Sequence, residues 1–214
     1  MALNLFVDND VILKLAQYGI LEHLTKLFPN HHGETHLFAL DSARYKLLPK
    51  RNRTELCKTE AAALCIEAFL EQATSLAPAN VDIDVLERLY ATPGIDAGEA
   101  LLFSAAAKGT EGRVLTGDKR ALAGLSDQHL EHVGPQLIKK VITLEALVQG
   151  FVALDADATQ HAVRSNPAVD KALDMVFGIS SAASAESVKA GLGSYIGHVR
   201  ESLGAILNSG PPFD

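Results

Sequence analysis

Short apolar runs alternate along the chain with longer stretches whose apolar residues recur at helical spacing. A short continuous apolar run reads as a strand buried on both faces, and a three-to-four spacing reads as one face of a helix. Strands are therefore predicted at residues 3–7, 36–40 and 112–116, with a short one at 80–83 and an edge strand at 137–142 that carries two lysines. Helices are predicted at 11–17, 20–28, 85–90, 96–108 and 119–125, with a short one between Asp41-Ser42 and Pro49. A longer helix is expected from a Thr54 cap to the region of Leu76-Ala77-Pro78, and another from a Thr143 cap through Phe151. Strands alternating with helices predict an α/β fold, a three-layer α/β/α sandwich around a mostly parallel sheet.

From Asp155 onward the strand pattern stops. Residues 158–164, 169–177 and 187–207 read as helices, so the chain divides into an α/β domain at 1–152 and an all-helical C-terminal extension at 153–214. The last helix carries Val188, Leu192, Ile196, Val199, Leu203 and Ile206 as one apolar stripe. Such a stripe needs a surface to cover it. That surface is the α/β domain, a second copy in a homodimer, or a separate protein partner.

The 214 residues and 48% hydrophobic content suffice for a substantial core, and the formal net charge of −7 implies no broad basic face for nucleic acid. A local basic run remains in Lys46, Lys50, Arg51 and Arg53, readable as a substrate-binding patch or as a solvated loop. Cys57 and Cys65 lie eight residues apart in a helical stretch. Eight helical residues span roughly 12 Å, too far for a disulfide. Reduced thiols, no leader-like N-terminus and no apolar run long enough for a bilayer point to a cytoplasmic protein without a membrane span. His31, His32 and His36 read as a surface turn, and His161 and His198 as structural.

The chemistry is carried by acids. Asp8 follows the first strand directly, in Leu5-Phe6-Val7-Asp8-Asn9-Asp10. Asp118 follows another strand, in Val114-Leu115-Thr116-Gly117-Asp118, and Glu99 opens the helix leading to it, three residues after Asp96. Ligands bind beyond the carboxyl ends of parallel strands, so these carboxylates are expected to converge at one sheet edge. Clustered carboxylates repel one another unless a hard cation lies among them, which suits Mg²⁺ or Mn²⁺. Each acid also has a plain structural role open to it: Asp8 and Asp96 as helix caps, Glu99 as a first-turn residue, Asp118 as a turn residue. Asp10 is a further ligand or the true cap, and Thr116 a hydrogen-bond donor to an acid.

In order and spacing these segments resemble the PIN-domain nucleases, metal-dependent ribonucleases common as toxins in toxin–antitoxin pairs. Asp8 matches the family's first acid, Glu99 in Gly98-Glu99-Ala100-Leu101-Leu102 the acid opening a later helix, and Asp118 in Leu115-Thr116-Gly117-Asp118 the last acid. The resemblance covers residues 1–150. It implies catalysis by Asp8, Glu99 and Asp118, and a metal held by these three with Asp96. It further implies RNA as substrate, Lys46, Arg51 and Arg53 as its contacts, and an antitoxin or other protein at the C-terminal helices. The family's glutamate after the second strand has no counterpart: Arg44-Tyr45-Lys46 stands there, with Asp41 earlier and Glu55 and Glu60 later. Two alternatives follow. One is a PIN-like fold kept as a binding module without catalysis. The other is a phosphatase of haloacid-dehalogenase type, suggested by Asp8-Asn9-Asp10, although the Thr that usually follows is replaced by Val11-Ile12.

Overall fold

The computed structural model describes residues 2–29, 34–125, 133–208 and 210–213; His31 and His32 lie outside them. The chain runs β1 (Leu3–Val7), α1 (Asn9–Gln17), β2 (Thr35–Ala39), α2 (Ala43–Leu47), α3 (Arg53–Cys57), α4 (Glu60–Gln72) and β3 (Thr74–Ser75). It continues with α5 (Ile83–Tyr90), α6 (Ala97–Lys108), β4 (Gly112–Thr116), α7 (Lys119–Leu125), β5 (Val141–Thr143) and α8 (Leu144–Leu154). The extension forms α9 (Ala156–Ser165), α10 (Lys171–Phe177) and α11 (Ala185–Leu203).

The five strands form one parallel sheet in the order β3-β2-β1-β4-β5. The chain steps outward from β1 to β3, crosses back and steps outward again from β4 to β5. Right-handed crossovers taken in opposite directions place helices on opposite faces, which yields the three layers. On one side α1 packs with α4 and the 3-10 helix Leu21–Leu27; on the other α6 lies against β1 and β4 with α5 outside it. Leu3, Leu5, Phe6 and Val7 of β1 are buried, as are Val114, Leu115 and Thr116 of β4.

Local sequence explains where the elements start and stop. Thr59, Asp82, Asp96, Thr143, Asp155, Asp170 and Ser184 each accept a backbone N–H at the start of a helix. The single helix expected from Thr54 to about Leu76 is in fact two. Lys58 takes φ 67°, a backbone conformation no helix continues through, and Thr59 restarts the chain as α4. The strand expected at 80–83 is absent: Asp82 caps α5 instead, and the third strand of that half-sheet is Thr74–Ser75. The edge strand narrows to Val141–Thr143, because residues 134–137 form a 3-10 turn and Lys139 has φ 57°. The segment expected as a helix at 20–28 is 3-10 in form.

The extension shares the core of the α/β part. Val188, Leu192, Ile196 and Leu203 of the apolar stripe are buried, and α11 packs on α7, α8 and α10. The stripe is thus covered by the chain itself, which removes the reason for placing a homodimer or antitoxin there. Beyond α11 the tail returns to the sheet: Leu207 makes a parallel bridge to Val141, and Asn208 N–H donates to the Val141 carbonyl at 2.8 Å. Phe213 is fully buried, its ring 5.4 Å from that of Phe28. Among the described residues no helix is long and apolar enough to cross a membrane.

The core shared by the extension and the α/β part predicts a single folding unit. Leu192→Ala should destabilise the whole chain by about 2–4 kcal/mol. Urea unfolding followed by both circular dichroism and tyrosine fluorescence should stay a single transition. Two separated transitions, with only the weaker one moved, would show that the extension folds independently.

Candidate metal centre at the carboxyl edge of the sheet

The strand order reverses between β1 and β4, and the crevice beyond that point is where open α/β sheets bind ligands. Asp8 and Asp118 flank it. The Asp8 N–H donates to the Leu115 carbonyl at 3.0 Å, extending the β1–β4 ladder by one rung. Thr116 links the two acids: its hydroxyl donates to Asp8 Oδ2 at 3.4 Å and accepts the Asp118 N–H at 3.2 Å. Asp8 occupies the N-cap position of α1, yet its side chain makes no capping hydrogen bond, so the carboxylate is not consumed by the helix.

The other acids are tied to local structure more tightly. Asp96 and Glu99 form a reciprocal capping box at the start of α6: Glu99 N–H donates to Asp96 Oδ1 at 2.8 Å, and Asp96 N–H to Glu99 Oε2 at 2.6 Å. Each bond engages one carboxylate oxygen. Asp118 Oδ1 accepts N–H groups of Arg120 at 2.7 Å and Ala121 at 3.3 Å, while its Oδ2 meets the Arg120 guanidinium at 3.1 Å. The structural roles of Asp96, Glu99 and Asp118 are therefore realised, and any ligand role is additional to them.

These groups nonetheless feel one another. Burial raises Asp8 to about 6, and the charges of Asp10 and Asp96 add to the rise. Burial raises Glu99 to about 7, with Asp96, Asp118 and Asp8 pushing the same way against its bond from the Asp96 N–H. Burial also pushes Asp118 upward, but Arg120 and the two N–H groups outweigh it and hold the carboxyl below its usual range. Asp8 and Glu99 are only 9% and 7% exposed, so water screens little of this repulsion.

Asp10, open from the sequence as a ligand or a cap, joins the set, and Glu145 stands beyond the neighbouring strand. Asp10 lies over the end of β4: its Oδ2 is 2.7 Å from where a Cβ on Gly117 would stand, which explains a glycine between Thr116 and Asp118. Glu145 is buried just after β5 and meets Lys119 at 3.7 Å. The signal was present in the spacing. Asp41, Asp118 and Glu145 each stand two residues beyond the end of a parallel strand, and Asp8 one. Asp41 accepts the Ser75 hydroxyl at 3.0 Å, on the β2–β3 side of the sheet.

The basic residues divide. Arg53 is held by Glu67 at 2.7 and 3.0 Å and by Glu60 at 3.2 Å, which neutralises it as a phosphate contact and occupies Glu60 as well. Lys46 is exposed on α2. Arg51 lines an open groove of about 680 Å³ together with Asp10, Lys14, Glu55, Lys58 and Val169, so one end of this groove belongs to the acidic cluster.

Comparison with known proteins gave no match to a family model, a curated protein or a solved structure. Among the described residues no three acidic, histidine or cysteine side chains are already gathered as a metal cage. The donor set still suits a hard cation. All its atoms are oxygens, the Asp8 carboxylate makes no capping bond and is raised by burial and by its acidic neighbours, and the amide oxygen of Asn9 beside it is buried without a partner.

A carboxyl whose pKa is higher folded than unfolded binds its proton more tightly when folded, so its contribution to stability falls as pH rises from the unfolded to the folded value. For Asp8 and Glu99 that window runs from about 4 to about 7. Asp118 and Asp170, held low, act with the opposite sign below the window. Without metal, Asp8→Asn should gain stability relative to the wild type on going from pH 5 to 7.5, by on the order of 2 kcal/mol. Parallel pH curves for the two proteins would contradict the coupling.

Proposed function

We propose that the protein is a metal-dependent endoribonuclease of PIN type, a cytoplasmic and toxin-like hydrolase in which Asp8, Glu99 and Asp118, with Asp96 beside them, hold Mg²⁺ or Mn²⁺. The observation that carries this reading is the placement of Asp8 and Asp118 beyond adjacent parallel strands at the reversal of strand order, with the Asp96–Glu99 box coupled to them by charge. A bound divalent ion would supply a water of lowered pKa and offset charge on the phosphodiester and its leaving oxygen.

The chain's own residues do the rest. Asp8 offers a buried carboxylate whose orientation is steadied by Thr116. Glu99 retains its bond from the Asp96 N–H and Asp118 its bonds at the start of α7, which fixes their positions; a metal would compete with the exposed Arg120 guanidinium for Asp118 Oδ2. Arg51 and Lys58 in the groove beside Asp10, and Lys46 exposed on α2, offer cations to the phosphates of an RNA strand.

One observation favours a second reading, a PIN-like binding module without catalysis. The helix after β2 presents Arg44, Tyr45 and Lys46 where a further acid is expected, and Asp41 is turned to Ser75.

Millimolar Mn²⁺ should raise the melting temperature of the wild type, and Asp118→Asn should lose most of that shift. Cleavage of a mixed RNA pool should be abolished by EDTA and reduced at least about a hundredfold by Asp8→Asn or Glu99→Gln. Arg51→Ala with Lys58→Ala should weaken RNA binding while leaving the Mn²⁺ melting shift in place. A melting shift without cleavage selects the binding module. Turnover of a small aryl phosphate, lost in Asp8→Asn, would instead select phosphatase chemistry.

A further inference from the structure

Lys14 stands between the acidic cluster and the helical extension. Its ammonium lies 2.8 Å from Asp10 Oδ2 and 2.9 Å from Asp170 Oδ2. Asp10 is the acid whose carboxylate overlies Gly117, so one partner of Lys14 belongs to the cluster and the other to α10. Asp170 has little freedom. Its Oδ1 accepts the N–H groups of Ala172 and Leu173 as the cap of α10, which leaves Oδ2 to face Lys14. The side chains of Lys14 and Asp170 are 20% and 18% exposed, so the pair is largely withdrawn from solvent. Burial opposes the charge on Lys14, but Asp10 and Asp170 together more than restore it, so the ammonium stays charged.

One cation is thus divided between two carboxylates on different parts of the fold. The more of its charge Asp170 takes, the less neutralises Asp10 and the more negative the cluster remains. We infer that Lys14 is a positioning residue through which the helical extension sets the affinity of the acidic cluster for a divalent cation. The inference rests on the metal-site reading above. It adds that the extension, which contributes no residue to the cluster itself, tunes the cluster through this shared ammonium.

The charge logic yields opposite signs for changes at the two ends of one contact, which a merely structural contact would not. Lys14→Met removes the competing cation and should tighten Mn²⁺ binding. Asp170→Asn releases Lys14 wholly to Asp10 and should weaken it, each by roughly three- to tenfold at low salt. Asparagine caps helices about as well as aspartate, so α10 is retained. Lys14→Arg should bind as the wild type does, and Asp174→Asn, which removes the same charge farther along α10, should change affinity little. The measurement is Mn²⁺ affinity of the full chain by calorimetry, with apo melting curves confirming that each variant folds. Shifts of the same sign in Lys14→Met and Asp170→Asn, or no shift in folded variants, would overturn the inference while the metal site stands. Wild-type Mn²⁺ binding that is absent, or indifferent to Asp118→Asn, would overturn the site reading and this inference with it.

Discussion

Asp8 and Thr116 are 108 residues apart in the chain and joined by a hydrogen bond at the centre of the sheet. The register behind that contact pairs Val7 with Leu115, which sets Asp8 beside Thr116, the last residue of β4. Everything at the carboxyl edge follows from it. The alanines of α6 allow that helix to lie close on β1 and β4, and its capping box comes to rest beside the strand ends. Gly117 leaves room for the Asp10 carboxylate. A shift of one residue in the pairing would exchange the faces on which Val114 and Leu115 pack and separate Asp8 from Thr116, so the register of the central strands fixes the geometry of the acids.

The strands and the acids beyond them were legible because both rest on local signals. An unbroken apolar run such as residues 3–7 has few ways to be accommodated other than as a central parallel strand, and an acid just after it has nowhere to go but the edge. What the sequence hid depended on backbone conformation or distant partners. Nothing in the composition of residues 54–72 marks Lys58 as the break between α3 and α4; its positive φ turns the chain between two helices that pack on one another. Arg53 looked like a phosphate contact beside Arg51, but Glu67, about two turns into α4, claims it. Asp170 gave no sign of facing Lys14, since the two are 156 residues apart.

The extension shows how an amphipathic stripe predicts that a face is covered but leaves open by what. The spacing of Val188, Leu192, Ile196 and Leu203 predicts a face to be covered, and the same physics is satisfied by a partner or by the chain itself. Here α8 supplies the cover, because Thr143 starts that helix at the edge of the sheet and Leu147, Val148 and Phe151 are buried along it. Once α11 is docked, the tail that follows is led past β5, where Leu207 and Asn208 take up hydrogen bonds the edge strand would otherwise leave open.

The net charge of −7 bears on RNA recognition less than it first suggests. At physiological salt a charge is screened over about 8 Å, so a phosphate entering the groove responds mainly to the side chains lining it. There the balance is local: Lys14, Arg51 and Lys58 against Asp10 and Glu55. Lys14 is already committed to Asp10 and Asp170, which leaves Arg51 and Lys58 set against Glu55, a margin of a single positive charge. So thin a margin would hold a phosphodiester weakly on its own. A divalent cation seated among Asp8, Glu99 and Asp118 would offset most of their negative charge at the head of the groove, so in the proposed mechanism metal binding precedes productive binding of RNA.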